Sequence, residues 1–281
     1  MNELSMLKAI FLGALQGATE FLPVSSSGHL VIAQGLLGVK LENGGLLAFD
    51  VCLHFGTLLA ILVAFWRDIA QILANIFRRN PGDDVCAATG MSGRQARRMG
   101  LMIIVGSIPA GLLGPPLNDF FERLFSSVTA AAAMLLVTGC ILWGTRFARD
   151  QRIGVSGMGF WRALLVGVAQ AIAIIPGISR SGSTISGGLY LGVDRALAAR
   201  FAFLLAVPAI GGASLFKLKE MQHFSHDIAV AAIAGAAVAA IVGFACIKWL
   251  LRIVKRGRFS WFAYYCWAAG LATLLYLQFG K

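Results

Sequence analysis

Six runs of about twenty mostly apolar residues alternate with short polar stretches along this chain: Leu46–Trp66, Met99–Leu117, Ser127–Thr145, Ala196–Phe216, Asp227–Trp249 and Phe259–Phe279. A helix needs about 20 such residues to cross a bilayer, so each run predicts a spanning helix. Two further segments begin the same way and then break. Glu3–Lys40 is interrupted at Pro23 and Phe160–Asp194 at Pro176-Gly177, and both continue through serines and glycines. Irregular backbone at membrane depth is tolerated only where protein or a wet cavity surrounds it. Both segments therefore read as re-entrant helix hairpins.

The two broken segments align without gaps at an offset of 154 residues. Gly13 falls on Gly167, Gln16 on Gln170, Ser25 on Ser179, Ser27 on Ser181, Gly28 on Gly182 and Leu37-Gly38-Val39 on Leu191-Gly192-Val193. Three apolar runs follow each hairpin. The expectation is a single all-α membrane domain over residues 1–281, with repeats of about 1–150 and 155–281. Arginines and lysines gather in 67–98, 146–162 and 248–258. With these stretches in the cytoplasm, as the positive-inside rule directs, the six spans alternate and both termini face outward. The first hairpin then enters from outside and the second from the cytoplasm. That is an inverted repeat, whose site typically lies where the broken helices meet.

Composition agrees: of 281 residues, 58% are hydrophobic and 13% charged, with a mean hydropathy of +0.78. Average soluble domains carry about 25% charged residues. A formal net charge of +11 would suit a nucleic-acid binder, but the basic residues lie between apolar runs rather than on one face. No nucleic-acid partner is expected. The five cysteines show no CxxC or Cys/His ligand spacing and read as small buried hydrophobes. The first apolar run lacks a basic leader and a small-residue cleavage site, so no cleavable signal is expected.

The chemistry concentrates in the hairpins. Gln16 and Glu20 are one helical turn apart and share a face. A carboxylate inside a membrane segment is costly and marks a functional site by default. With the carboxamide it offers hard oxygen ligands for Mg²⁺ or Ca²⁺; a structural hydrogen bond is the plainer alternative. Ser25, Ser26, Ser27 and Gly28 follow Pro23, where hydroxyls and free N–H groups can cradle an anion or simply cap the next helix. His29 stands close enough in sequence to activate a hydroxyl.

The second hairpin reads Pro176-Gly-Ile-Ser179-Arg180-Ser181-Gly-Ser183-Thr184. Arg180, alone in an uncharged segment, suits bidentate phosphate contact or an ion pair with Glu20. Asp50 and His54 are another intramembrane pair one turn apart, open to a lining or a structural role. His223, His226 and Asp227 read as a solvated loop, and Asp119, Glu122 and Arg123 as a short polar connection.

Gln16-x-x-x-Glu20-Phe-Leu-Pro-Val-Ser-Ser-Ser-Gly-His29 and Pro176-Gly-Ile-Ser-Arg180-Ser-Gly-Ser-Thr resemble the two signature motifs of the undecaprenyl-diphosphate phosphatases, also called the bacitracin-resistance family. Phe201–Pro208 is similar to a third recurrent stretch, although Ala202 stands where serine is often found. The resemblance covers essentially the whole chain. It implies six transmembrane helices plus two re-entrant hairpins in an inverted-topology repeat, in the bacterial plasma (inner) membrane. It implies hydrolysis of undecaprenyl diphosphate to undecaprenyl phosphate and phosphate, recycling the lipid carrier for peptidoglycan, with bacitracin competing for the substrate. An outward, periplasmic site follows from that role.

In this reading Gln16 and Glu20 hold a divalent cation, Mg²⁺ or Ca²⁺, and Arg180 clamps the terminal phosphoryl group. Ser26 is the preferred nucleophile with His29 as base; a metal-activated water is the alternative. Ser25, Ser27, Gly28, Ser179, Ser181 and Thr184 bind phosphate. Part of the pattern also resembles the type-2 phosphatidic acid phosphatases, but Ser186 and Tyr190 stand where their histidine and aspartate would be, which excludes their chemistry. The rival function is a polyprenyl-phosphate transporter built on the same inverted repeat. Oligomeric state is left open, a homodimer included.

Overall fold

The computed structural model describes residues 4–39, 45–117, 124, 127–148, 152–218 and 226–279. Eleven α-helices account for most of them: α1 Met6–Phe21, α2 Ser26–Leu36, α3 Gly45–Ala64, α4 Trp66–Ile76, α5 Gly93–Leu113, α6 Val128–Gly144, α7 Phe160–Ile172, α8 Arg180–Tyr190, α9 Arg195–Leu218, α10 His226–Lys255 and α11 Phe262–Phe279. No strand occurs among the described residues. The expected polar residues Asp119, Glu122, Arg123 and His223, and the side chains of His226 and Asp227, lie outside this set.

Five helices, α3, α5, α6, α9 and α10, are long and apolar enough to cross a membrane. The sixth expected span, α11, forms as an 18-residue helix without a charged residue. Tyr264, Tyr265, Trp267, Tyr276 and Gln278 lower its hydropathy, and it does not join those five. The second span starts six residues earlier than its apolar run, because a capping box fixes its N-terminus. The Ser92 hydroxyl accepts from Gln95 N at 3.3 Å, and the Gln95 side chain accepts from Ser92 N at 3.0 Å. Such reciprocal caps satisfy two otherwise orphaned donors. Part of the expected 67–98 loop is also helical. In α4, Trp66 and Leu73 are exposed while Ile72 is buried, an amphipathic pattern that the loop's charge had obscured.

The hairpin helices are seated by glycines at which two backbones touch. A β-carbon on Gly13 of α1 would lie 2.2 Å from the Gly235 carbonyl oxygen of α10. One on Gly167 of α7 would lie 2.3 Å from the Gly106 carbonyl oxygen of α5. The crossings match: the first helix of each hairpin packs on the second long helix of the other half. Gly17 continues the first crossing against Ala239, so α1 and α10 run in the same direction. Between the halves, α3 packs on α9 and α6 on α11. Phe203 of α9 fills the centre, with Phe21 and Phe65 each at 5.8 Å between ring centroids.

Candidate functional site

Each hairpin turns where the sequence denies it a continuing helix. After α1 the chain becomes extended at Leu22, as a residue before proline prefers. Ser25 then takes φ +67°, the one non-glycine residue with positive φ among those described. Such a conformation costs on the order of 1–3 kcal/mol and tends to persist at functional sites. In the second hairpin Gly177 supplies the left-handed turn at φ +91°. Ser179 then caps α8, its hydroxyl accepting from Gly182 N at 3.0 Å.

The two tips meet. The Ser181 hydroxyl donates to the Leu22 carbonyl at 3.1 Å, and Arg180 Nη2 donates to Glu20 Oε1 at 2.6 Å. The other carboxylate oxygen, Oε2, accepts from the Ser26 hydroxyl at 2.5 Å and from Gln16 Nε2 at 3.0 Å. His54 Nε2 stands 3.9 Å from it. Glu20 is only 8% exposed, so its charge is balanced almost wholly by these neighbours. The alternative pairing of Glu20 with Arg180 is thus present, and it brings the two hairpins into one site.

A cavity of about 760 Å³ opens above this cluster. Its polar lining is Thr19, Glu20, Ser25, Ser26, Ser27, Gln34, Asp50, His54, Ser179, Arg180 and Ser214, and its walls include Leu30, Val31, Leu46, Ile174, Ile178 and Ile210. Charge at the floor and hydrocarbon on the walls fit an amphiphile with an anionic head. The Asp50–His54 pair, left open between lining and structure, lines this cavity. Gln34 Nε2 donates to Asp50 Oδ1 at 2.6 Å, fastening α2 to the start of α3.

Not every candidate converges. His29 is turned away from Ser26: its Nδ1 donates to the Ser25 carbonyl at 2.8 Å, and its Nε2 meets the Tyr265 hydroxyl at 2.7 Å. A carbonyl can only accept, so in the neutral ring Nε2 is the acceptor. His29 thereby braces the strained Ser25 backbone from α11. The Thr184 hydroxyl donates to the Arg180 carbonyl at 2.8 Å, inside its own helix. Ser27 pairs with Ser25 and Ser181 with Ser179, at 3.3 and 3.2 Å. Gly28 faces Gly177 across the tip contact.

For a divalent cation the donors on offer are oxygens. Gln16 Oε1 is buried without a hydrogen-bond partner, one helical turn from the Glu20 carboxylate. That pair suits a hard cation. Among the described residues no three of His, Cys, Asp and Glu cluster as a protein-only metal site, so such an ion would complete its shell with other oxygens.

Sequence reasoning missed Thr138 and Tyr265. In α6 the Thr138 hydroxyl donates to the Gly177 carbonyl at 2.9 Å and accepts from Ser179 N at 3.1 Å. It holds the second tip from outside the hairpin. A single threonine in an apolar run carries no signal of this, since such hydroxyls usually bond their own helix, as Thr19 does to Leu15 O at 2.7 Å.

Residues 9–272 match the family model described as bacitracin resistance protein BacA. The chain is 44% identical over 276 residues to a protein of Desulfatibacillum aliphaticivorans named undecaprenyl-diphosphatase, spanning 97% of this chain and 99% of that one. A protein of the same name from Desulfosudis oleivorans is 44% identical over 273 residues, 95% of this chain and 97% of its own. Another, from Methanosphaera stadtmanae, is 41% identical over 276 residues, 97% and 98% of the two chains.

Proposed function

The chain belongs to the bacitracin resistance protein BacA family, and we propose that it hydrolyses undecaprenyl diphosphate to undecaprenyl phosphate and inorganic phosphate. The observation that carries this reading is the convergence of Arg180 from one hairpin and Ser26 from the other on Glu20, at the floor of an apolar-walled cavity. Phosphoryl transfer gains mostly from positioning and charge neutralisation. Arg180 supplies a planar cation for the terminal phosphoryl oxygens, and the apolar walls hold the first isoprene units.

Ser26 is the nucleophile in this scheme. Its proton passes to Glu20 Oε2, the base within reach at 2.5 Å, a role first expected of His29. The Ser26 oxygen attacks the terminal phosphorus, the anhydride bond breaks, and undecaprenyl phosphate leaves. Water then attacks the phosphoserine phosphorus, the Ser26 oxygen leaves and takes back the proton held on Glu20, and inorganic phosphate departs with the protons of the water. Gln16 and Glu20 would hold a divalent cation, which when bound neutralises diphosphate charge. A water nucleophile is the alternative.

The test is phosphate release by purified protein in detergent, with EDTA and metal add-back. The expected results are loss in EDTA, recovery with Mg²⁺ or Ca²⁺, and a fall of about 10²-fold or more in Ser26→Ala, the range for a lost acid–base-assisted step. Full activity in Ser26→Ala would remove the serine route. The matched glycine crossings also suit a transporter of polyprenyl phosphate; a pure transporter would release no phosphate at all.

The fold proposed for the membrane is six spans with two re-entrant hairpins, in a bacterial inner membrane, with the cavity toward the periplasm. Supporting this, the cavity is lined by the first turns of α3 and the last turns of α9, whereas the basic stretches lie at or beyond the far ends of α3, α6 and α10. Cys86, exposed between α4 and α5, reports on orientation. Hydrogen bonding to the Ala88 backbone and then the Thr89 hydroxyl holds its thiol below the usual range, keeping it reactive. In a chain retaining only Cys86, an impermeant maleimide should label inverted vesicles and spare spheroplasts. The opposite pattern would reverse the assignment.

A further inference from the structure

A second polar cavity, of about 720 Å³, sits at the other end of the helices, where α4 gives way to the loop before α5. Arg79, Arg94, Arg97 and Arg98 line it, no carboxylate does, and Leu101 and Met102 continue its wall. Three of these arginines fall in the first two turns of α5. Cations there oppose the helix dipole as well as one another, so the arrangement gains from an anion placed among them.

The arginines are only partly engaged by protein. Arg94 Nε pairs with Asp83 at 3.0 Å, both side chains well exposed, a contact of little net worth in water. Arg98 Nε donates to the Met158 carbonyl at 2.9 Å, which fixes the guanidinium in place without cancelling its charge. Arg97 Nε is buried with no partner. A buried charged donor left unpaired is costly, and an anion held beside the Arg97 guanidinium in the cavity would offset that charge.

The surroundings identify the class of anion. Below the cavity α5 presents Leu101, Ile104, Ile108 and Leu112 as an exposed stripe at helical spacing. Beside it α4 exposes Trp66 and Leu73, and Phe77 follows them, the pattern of a helix lying in a membrane interface. A free phosphate has no use for such a stripe; a phospholipid does. We propose that the arginine cavity binds the phosphate of an anionic phospholipid whose acyl chains lie along the α5 stripe, apart from the site at Glu20. Basic pockets beside membrane helices are known to take lipid head groups in this way.

The experiment measures retained lipid by native mass spectrometry of protein from nanodiscs of phosphatidylcholine with phosphatidylglycerol. Wild-type protein should carry phosphatidylglycerol in preference to phosphatidylcholine. The double variant Arg79→Gln/Arg97→Gln should lose that preference about tenfold or more, the scale expected when two arginines near an anionic lipid are removed. Arg79→Gln alone, in an exposed loop where it cannot unfold the protein, should lose part of it. Arg78→Gln, which removes the same charge one residue outside the cavity, should retain it, and all variants should keep phosphatase activity in phosphatidylcholine discs. Equal loss in Arg78→Gln, undiminished binding in the double variant, or displacement of the lipid by inorganic phosphate would each overturn the proposal.

Discussion

Arg180→Ala is expected to reduce phosphate release by about 10³-fold or more, since a preorganised charge facing the transition state commonly carries an effect of 10²–10³ and this one also orders the site. Arg180 Nη2 is the cation held on Glu20, at 2.6 Å, in a nearly buried environment. Removing it takes away the proposed phosphoryl clamp and leaves a carboxylate without its principal counter-charge. Breaking one side of such a buried pair typically costs about 3–5 kcal/mol, so the melting temperature in detergent should fall as well. The two losses separate in a double variant. Glu20→Gln/Arg180→Ala has no stranded charge and should recover thermal stability while remaining inactive. Recovery of both, or of neither, would mean that the pair does not play this double part. Arg180→Lys keeps the charge without the planar fork and should fall between wild type and alanine.

The second large effect is structural. Gly13→Ala places a methyl 2.2 Å from the Gly235 carbonyl oxygen, and Gly167→Ala one 2.3 Å from that of Gly106. The obstructing atoms belong to helix backbones, so relief requires α1 to part from α10, or α7 from α5. Overpacking of this kind costs about 1–3 kcal/mol or more. Because Gln16 and Glu20 lie within two turns of Gly13, the same movement would pull the carboxylate from Arg180. Either variant should show a lower melting temperature and a reduced monodisperse peak, with activity falling in step. Gly111→Ala, which meets nothing within 4 Å, is the control. It should be neutral, or gain up to about 1 kcal/mol from helix propensity. Equal behaviour of the three would show that the crossings are not close contacts.

Much of this was written in the chain. The apolar runs mark all five long helices, and the breaks at Pro23 and Gly177 mark both tips, because a missing donor and a positive φ are local facts. Glu20 and Arg180 were legible for the same reason: a charge in an apolar segment needs a partner, wherever that partner is. What stayed hidden depends on which faces meet. Ser26 and His29 are three residues apart, and spacing alone would let one serve the other. Only the tertiary placement of Tyr265 turns His29 away and leaves Ser26 to Glu20. The helical part of the 67–98 stretch was masked by its arginines, which dominate any reading by charge. In α11, four aromatic residues with polar edges lower the hydropathy of an expected span that forms as a helix but does not join the five long apolar ones.

The grip of Arg180 on Glu20 also bears on how the cycle would close. A phosphate group reaches the guanidinium only by ousting a carboxylate that is already well seated. A diphosphate, with more negative charge than either product, is the better usurper. Once the phosphoserine is cleaved and Glu20 has returned its proton to Ser26, the orthophosphate is outbid and the carboxylate returns to Arg180, so in the proposed scheme the protein's own acid acts as the ejector. Orthophosphate should accordingly be a poor inhibitor, and potent product inhibition in the release assay would argue against this exchange.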